Sequence, residues 1–242
     1  MDWAFLVIAF FADFVGTIAG FGSSTIALPL SLFMYPFETA LVLVAFLHIF
    51  GNLGRIGFFR HGIDRRLIAQ FGVPSVLLSF VGALLVSWVP PDILKMVLGA
   101  FLVGYMFFAW SGKLTVKPSL SASILGGSVS GFFAGLIGTG GALRAAFLTA
   151  FNLPKEKYIA TAAAIAFAVD LTRLPLYLAQ RFFPEELYST LPALLGVALF
   201  GTYLGKLVVG KIPQEIFRRI VLVFLGFIGA LFLARSISSL LL

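Results

Sequence analysis

Residues 131–145 read GFFAGLIGTGGALRA, and residues 16–30 read GTIAGFGSSTIALPL. In each, a glycine is followed four residues later by another glycine. A polar, glycine-containing kink comes directly after, inside a stretch of membrane-spanning length. Downstream the register tightens: Pro36, Glu38, Asn52, Arg55 and Pro74 recur as Pro154, Glu156, Asp170, Arg173 and Pro192, each 118 positions later. These are the rare polar and proline positions of an apolar chain, so a shared register marks an internal duplication. Pro90 and Pro213 are 123 positions apart, which implies a short insertion near residues 201–210 of the second copy. The copies occupy residues 1–112 and 119–242 of one integral membrane domain.

Composition sets the solvent. The 242 residues are 60% hydrophobic and 11% charged, include 28 Phe, and have a mean hydropathy of +1.07. A soluble domain of this size cannot hide so much apolar surface, whereas a lipid bilayer, the first expected partner, solvates it. Runs of about 20 apolar residues indicate helices, since barrel strands alternate polar and apolar residues over about ten positions. The expected fold class is therefore an all-α polytopic membrane protein. The first segment is expected to be retained, because Met1-Asp2-Trp3 lacks a basic region and Asp13 interrupts the apolar stretch. The net charge of +7 reflects cytoplasmic loops, and no nucleic-acid partner is expected. With no Cys and two isolated His, the chain offers no thiolate or cluster ligands; neither a metal nor a cofactor is expected.

Hydropathy divides each copy into four segments: residues 2–35 (broken at 20–25), 37–59, 67–88 and 93–110, then 119–151 (broken at 138–141), 155–180, 188–209 and 216–235. If all eight cross, the loop Lys and Arg divide seven against seven. If the broken segments are re-entrant hairpins, the second half inverts. Arg60, Arg65, Arg66, Lys113, Lys117, Lys155, Lys157, Lys206, Lys211, Arg218 and Arg219 then face the cytoplasm, against Lys95, Arg181 and Arg235 outside. That distribution obeys the positive-inside rule. The expected architecture is two inverted four-segment repeats, each a broken helical hairpin plus three transmembrane helices, with the site where the broken helices meet. Letting only the first broken segment cross gives the same count, so the side of the N-terminus stays open.

Irregular backbone at membrane depth survives only where protein or a wet cavity satisfies it. Gly22, Ser23, Ser24 and Thr25, with Gly138, Thr139, Gly140 and Gly141, are thus expected to line a cavity. The half-helix starting after each break offers free N–H groups and a positive dipole end to an anion. Gly16, Gly20, Gly131 and Gly135 suit close helix packing instead.

Ionisable residues inside apolar segments are costly and commonly functional. His48, Asn52 and Arg55 share one helix face, and Asp170, Arg173 and Tyr177 share the equivalent face. Paired guanidinium groups suit an oxyanion such as sulfite, sulfonate or carboxylate. For each residue a second role stands beside substrate binding. Asp170 and Arg173 also suit a structural ion pair, and Arg55 a cytoplasmic helix end. Arg144 either contacts substrate or balances Asp170. His48, Asp13 and Asp170 are the proton-coupling candidates, though a lone His in a bundle also serves as a hydrogen-bonded packing residue. Lys206 is expected to snorkel, and Glu38 and Glu156 to serve as helix caps.

The paired breaks GTIAGFG and GFFAGLIGTGG, the start of each following helix and the two-copy organisation resemble the TauE/SafE sulfite exporter family over essentially the whole chain. The resemblance implies a bacterial or archaeal inner-membrane secondary transporter of sulfite or small organosulfonates, multi-pass and commonly an exporter. No GxxxxGK[ST] motif contradicts a secondary carrier, and no HExxH, GxSxG or paired intramembrane carboxylates suggest an enzyme. The expected partner is a small anion. A channel, other oxyanions or carboxylates, and a homodimer stay open at this stage.

Overall fold

The computed structural model describes residues 3–59, 62–111, 116–211 and 214–241. Arg60, Lys113, Pro213 and the side chain of Arg218, which entered the charge and repeat patterns, lie outside the described residues. The described residues run as five helices and then five more. The first run is α1 (Trp3–Ala19), α2 (Ser24–Ser31), α3 (Phe37–Phe58), α4 (Arg65–Trp88) and α5 (Pro91–Ser111). The second is α6 (Leu120–Ile137), α7 (Gly141–Leu148), α8 (Lys155–Ala179), α9 (Glu185–Val208) and α10 (Gln214–Leu241). No strand occurs among the described residues. This is an all-α polytopic membrane protein.

Among the described residues, six helices are long and apolar enough to cross a bilayer: α3, α4, α5, α6, α8 and α9. Five were expected as spans. The sixth, α6, was expected only as part of a hairpin; it is a full-length arm of 18 residues, followed by a short return in α7. α10 is continuously apolar over Leu222–Arg235. Within α4 the residues Ile68–Gly72 form a π turn just before Pro74, which lacks the N–H that a regular turn needs.

Both breaks are sharp because glycines there adopt left-handed backbone: Gly20 (φ 77°) and Gly22 (φ 87°) after α1, Gly138 (φ 73°) after α6. After each break the chain doubles back. From Phe5 to Ala19 a helix climbs about 20 Å, yet the Phe5 ring lies 5.6 Å from that of Tyr35, beyond the end of α2. In the second copy, Phe147 of α7 returns against Gly126 of α6.

The loops that follow discriminate further. Asp64, after α3, lies 3.2 Å from Lys157 Nζ at the start of α8, and its backbone N–H donates to Thr161 Oγ1 at 2.9 Å. Residues 62–66 and 155–157 therefore share one face of the molecule; eight crossing segments would have separated them. α3 and α8 run antiparallel. They touch at Asn52 and Asp170, and Phe46 at the middle of α3 meets Phe183 just beyond α8, with ring centroids 5.6 Å apart. α5 and α10 are also antiparallel, Gly99 beside Leu233 and Met106 beside Gly226.

The two runs exchange partners. α1 packs along α9, Gly201 against Phe10 and Gly205 against Thr17, while its counterpart α6 packs along α4, the counterpart of α9. A Cβ on Gly131 or Gly135 would overlap the carbonyls of Ser75 or Ser79, so those glycines serve close packing as expected. Gly16 does not: its Cβ would meet Gly22 and Ser23, so Gly16 seats the break of its own hairpin. Glu38 and Glu156 stand in the first turns of α3 and α8. The N-caps themselves are Pro36 and Pro154, which make no side-chain cap bond, so the glutamates complement the helix dipoles. Lys206 reaches out over the Phe58 ring at 5.9 Å.

Candidate functional site

The hairpin tips meet in the centre of the molecule. Thr25 Oγ1 and Thr139 Oγ1 are 2.9 Å apart, and the backbone of Gly141 lies against the Phe21 carbonyl. Ser23, Thr25 and Thr139 are fully buried, and Ser24 nearly so. The charged residues of α3 and α8 lie beside these tips because period 3.6 places residues three and four apart on one face.

Two ion-pair systems share this centre. Arg55 NH2 lies 2.7 Å from Asp13 Oδ1; its Nε donates to Thr17 Oγ1 at 3.0 Å and its NH1 to Asn52 Oδ1 at 2.9 Å. Arg173 grips Asp170 Oδ1 through Nε at 2.9 Å and NH2 at 2.8 Å, and its NH1 donates to the Ala134 carbonyl. Asn52 Nδ2 donates to Asp170 Oδ2 at 3.4 Å and joins the two systems. His48 Nδ1 lies 2.8 Å from the same oxygen, but off the line of a good hydrogen bond. Its Nε2 has no hydrogen-bond partner among the described residues, and neither do the buried Asp13 Oδ2 and Ser23 Oγ. A Cβ on Gly22 would lie 2.6 Å from His48 Nε2, so the imidazole closes directly on the first break.

Arg144 differs from the other two intramembrane arginines. It is 96% buried (4% exposed), yet among the described residues its guanidinium makes no ion pair within 4 Å and no hydrogen bond. It sits in the first turns of α7, where the dipole already presents positive potential, so the local fold opposes its charge. An unpaired buried guanidinium is costly, and a bound anion relieves that cost. Three arginines against two aspartates leave the buried cluster one positive charge in excess when His48 is neutral.

Arg144, Arg55, Asn52, Gly16, Gly20 and Gly22 border a small inner cavity of about 10 Å³, room for one water. Gly20, Phe21 and Ile159 separate it from a vestibule of about 360 Å³ that reaches Lys155 and Asn152, on the face carrying residues 62–66 and 155–157. Tyr158 OH donates to the Gly20 carbonyl at 3.1 Å across this partition.

Of the residues expected at the site, Gly22, Asn52, Arg55 and Arg144 border the inner cavity. Ser23, Ser24, Thr25 and Thr139 stand at or beside the tip contact. Asp170 and Arg173 lie behind Asn52 as an ion pair, and Asp13 holds Arg55. Gly138 and Gly140 border neither cavity: Gly138 packs on Leu41 and Leu28, Gly140 on Ser130. Sequence reasoning missed Thr17, Tyr158 and the vestibule wall. Thr17 follows Asp13 by four residues, one turn along the same face, which is the one signal that pointed to it.

The family model TauE, described as sulfite exporter TauE/SafE, matches residues 5–232. No curated protein and no solved structure matches the chain.

Proposed function

Since the chain belongs to the sulfite exporter TauE/SafE family of membrane transporters, we propose that it is a secondary carrier. It exports a small sulfur oxyanion, sulfite or an organosulfonate such as sulfoacetate, from a bacterial or archaeal cell across the inner membrane. The observation that carries this reading is Arg144, a buried guanidinium that makes no ion pair within 4 Å among the described residues and lies beside two opposed broken helices. The two runs of five helices are inverted repeats, a reading supported by the antiparallel α3 and α8, the exchanged partners and the shared face of the two loops.

In this mechanism the anion enters the vestibule from the face rich in Lys and Arg, which the positive-inside rule places in the cytoplasm. Its oxygens replace water at Arg144 and at the hydroxyls beside the tip contact. On the opposite side Leu28, Leu41 and Phe37 are packed shut. Rocking the repeats about the hairpin tips closes the vestibule and opens that packed layer. Asp13 and Asp170 are each already engaged by an arginine. Proton coupling is therefore assigned to His48, whose Nε2 faces the first break.

Counterflow in proteoliposomes tests the carrier: external labelled sulfite or sulfonate should accumulate transiently against preloaded unlabelled anion. Conductive flux without counterflow contradicts it and identifies a channel.

A further inference from the structure

His48, buried in the middle of α3, presents its two ring nitrogens to different surroundings. Nδ1 lies 2.8 Å from Asp170 Oδ2, too close for a lone pair to face a carboxylate oxygen, so a neutral imidazole keeps its proton on Nδ1. Nε2 is then a bare acceptor. It is turned to the first break, against Gly22, and neither it nor Ser23 Oγ has a hydrogen-bond partner among the described residues. Gly22 in turn borders the inner cavity, together with Arg144, Arg55 and Asn52. His48 thus stands just behind the wall of the anion site, at a point where glycine puts no side chain between them.

The charges facing the ring come from four helices: Asp13 on α1, Arg55 on α3 itself, Arg144 on α7, and Asp170 and Arg173 on α8. Tyr177, also on α8, is committed to the Gly135 carbonyl. Three arginines and two aspartates sum to +1 while His48 is neutral. A second positive charge in the empty site would be expensive at membrane depth, so the empty site keeps the imidazole neutral. A bound monoanion brings the sum to zero. A dianion brings it to −1, and one proton on Nε2 restores zero while turning a bare acceptor into a donor aimed at the break. Asp170 Oδ2 is already placed to face the imidazolium, since Arg173 holds only the other oxygen. Asp13 is a poorer place for that proton, because protonating it would strip Arg55 of its counter-charge.

Resting on the anion site at Arg144 proposed above, we infer that His48 matches the site to the charge of its ligand: a monoanion binds beside the neutral imidazole, and a dianion binds together with one proton taken up at His48 Nε2. The proton comes from the water of the vestibule. A loaded carrier then always moves one net negative charge, as a monoanion alone or as a dianion with its proton. His48 acts here as a positioning residue for charge and need not touch the anion.

Methanesulfonate and sulfate test this, because each keeps one charge state, −1 and −2, from pH 6 to pH 8. Calorimetric titration of the purified full chain in two buffers of different ionisation enthalpy counts the protons taken up. Sulfate should take up about one proton per anion and methanesulfonate none, and sulfate affinity should rise about tenfold for each pH unit lowered while methanesulfonate affinity stays flat. The proton is located by nitrogen NMR of histidine-labelled His61→Gln, in which His48 is the one histidine left: its ring should become doubly protonated with sulfate and stay neutral with methanesulfonate. His48→Gln should abolish the proton uptake and lower the ratio of sulfate to methanesulfonate affinity at pH 6 at least about tenfold. Sulfate bound without a proton, equal uptake with both anions, uptake with the His48 ring still neutral, or sulfate failing to bind at pH 6 where methanesulfonate binds each overturns the inference and leaves the anion site standing. If neither anion binds, the site reading itself fails and this inference with it.

Discussion

The two hairpins have the same backbone plan and opposite surroundings. The carbonyls of Gly20 and Gly135, equivalent positions ahead of each break, both accept a hydrogen bond from a tyrosine of α8: Tyr158 at its start and Tyr177 near its end. Around Gly20 the chain supplies Lys155, Tyr158 and Ile159, and a vestibule opens. The positions 118 residues earlier are Phe37, Ala40 and Leu41, all at most 1% exposed in the main core. On the proposed duplication, the two hairpins mark where a site can form, and differences at a few positions decide which side is open.

The comparison can be broken at several points. The largest effect is expected at the buried second tip. Arg173→Met leaves Asp170 with no cation in contact and should destabilise the protein by about 3–5 kcal/mol. Thermal or denaturant unfolding in detergent measures it, and a change under 1 kcal/mol would remove Arg173 from its structural role. Arg173→Lys, which keeps the charge but loses the fork, separates the two roles proposed for this residue. An equal loss of stability and binding marks the ion pair; a loss of binding alone marks substrate contact.

Next come the tyrosines. Tyr177→Phe leaves the fully enclosed Gly135 carbonyl unpaired and should cost about 1–3 kcal/mol, whereas Tyr158→Phe, at the vestibule edge where water can substitute, should cost about 0.5–1 kcal/mol. A larger loss at Tyr158 would reverse the assignment of open and sealed tips. Because the chain contains no cysteine, the same contrast can be read by labelling single-cysteine variants. Ala146→Cys should react with a water-soluble thiol reagent at least tenfold faster than Leu41→Cys, and comparable rates would contradict a sealed second side.

The smallest effect lies at the loop between α3 and α4, which meets the start of α8. Asp64 caps α4 through the Leu67 N–H at 3.0 Å and pairs with Lys157. The Leu67 bond first, and then Lys157, hold its carboxyl below the usual carboxylate range. A depressed carboxylate stabilises the fold above its unfolded-state value and loses that contribution as pH falls through the folded one. Asp64→Ala should therefore cost about 1 kcal/mol at neutral pH, and less in acid, where wild type has already lost the interaction. A cost that grows on acidification would contradict this.

Much of this arrangement was legible because polar residues are rare in the chain. The registers of Asn52 with Asp170 and Arg55 with Arg173 pointed to two related halves, and the loop charges favoured hairpins that double back, as the chain does after each break. Asp13 was visible as an intramembrane carboxylate, but not its partner, since α1 and α3 approach only in three dimensions. Arg144 was left between contacting substrate and balancing Asp170 because the sequence does not reveal that Arg173 already holds that carboxylate with two nitrogens. The vestibule was illegible for a different reason. Its wall is alanine, isoleucine and phenylalanine, which in this composition read the same whether they line space or fill it.

The central claim is that Arg144 is buried for the anion and not for the fold. Arg144→Met, measured side by side for ligand-free unfolding temperature and for stabilisation by sulfite and alkanesulfonates, tests it most directly. The expected result is an unfolding temperature equal to or above wild type, since an unpaired buried charge has been removed, together with at least about a hundredfold loss of anion affinity. Wild-type anion affinity in this variant, or an unfolding temperature lowered as far as that of Arg173→Met, would contradict the claim.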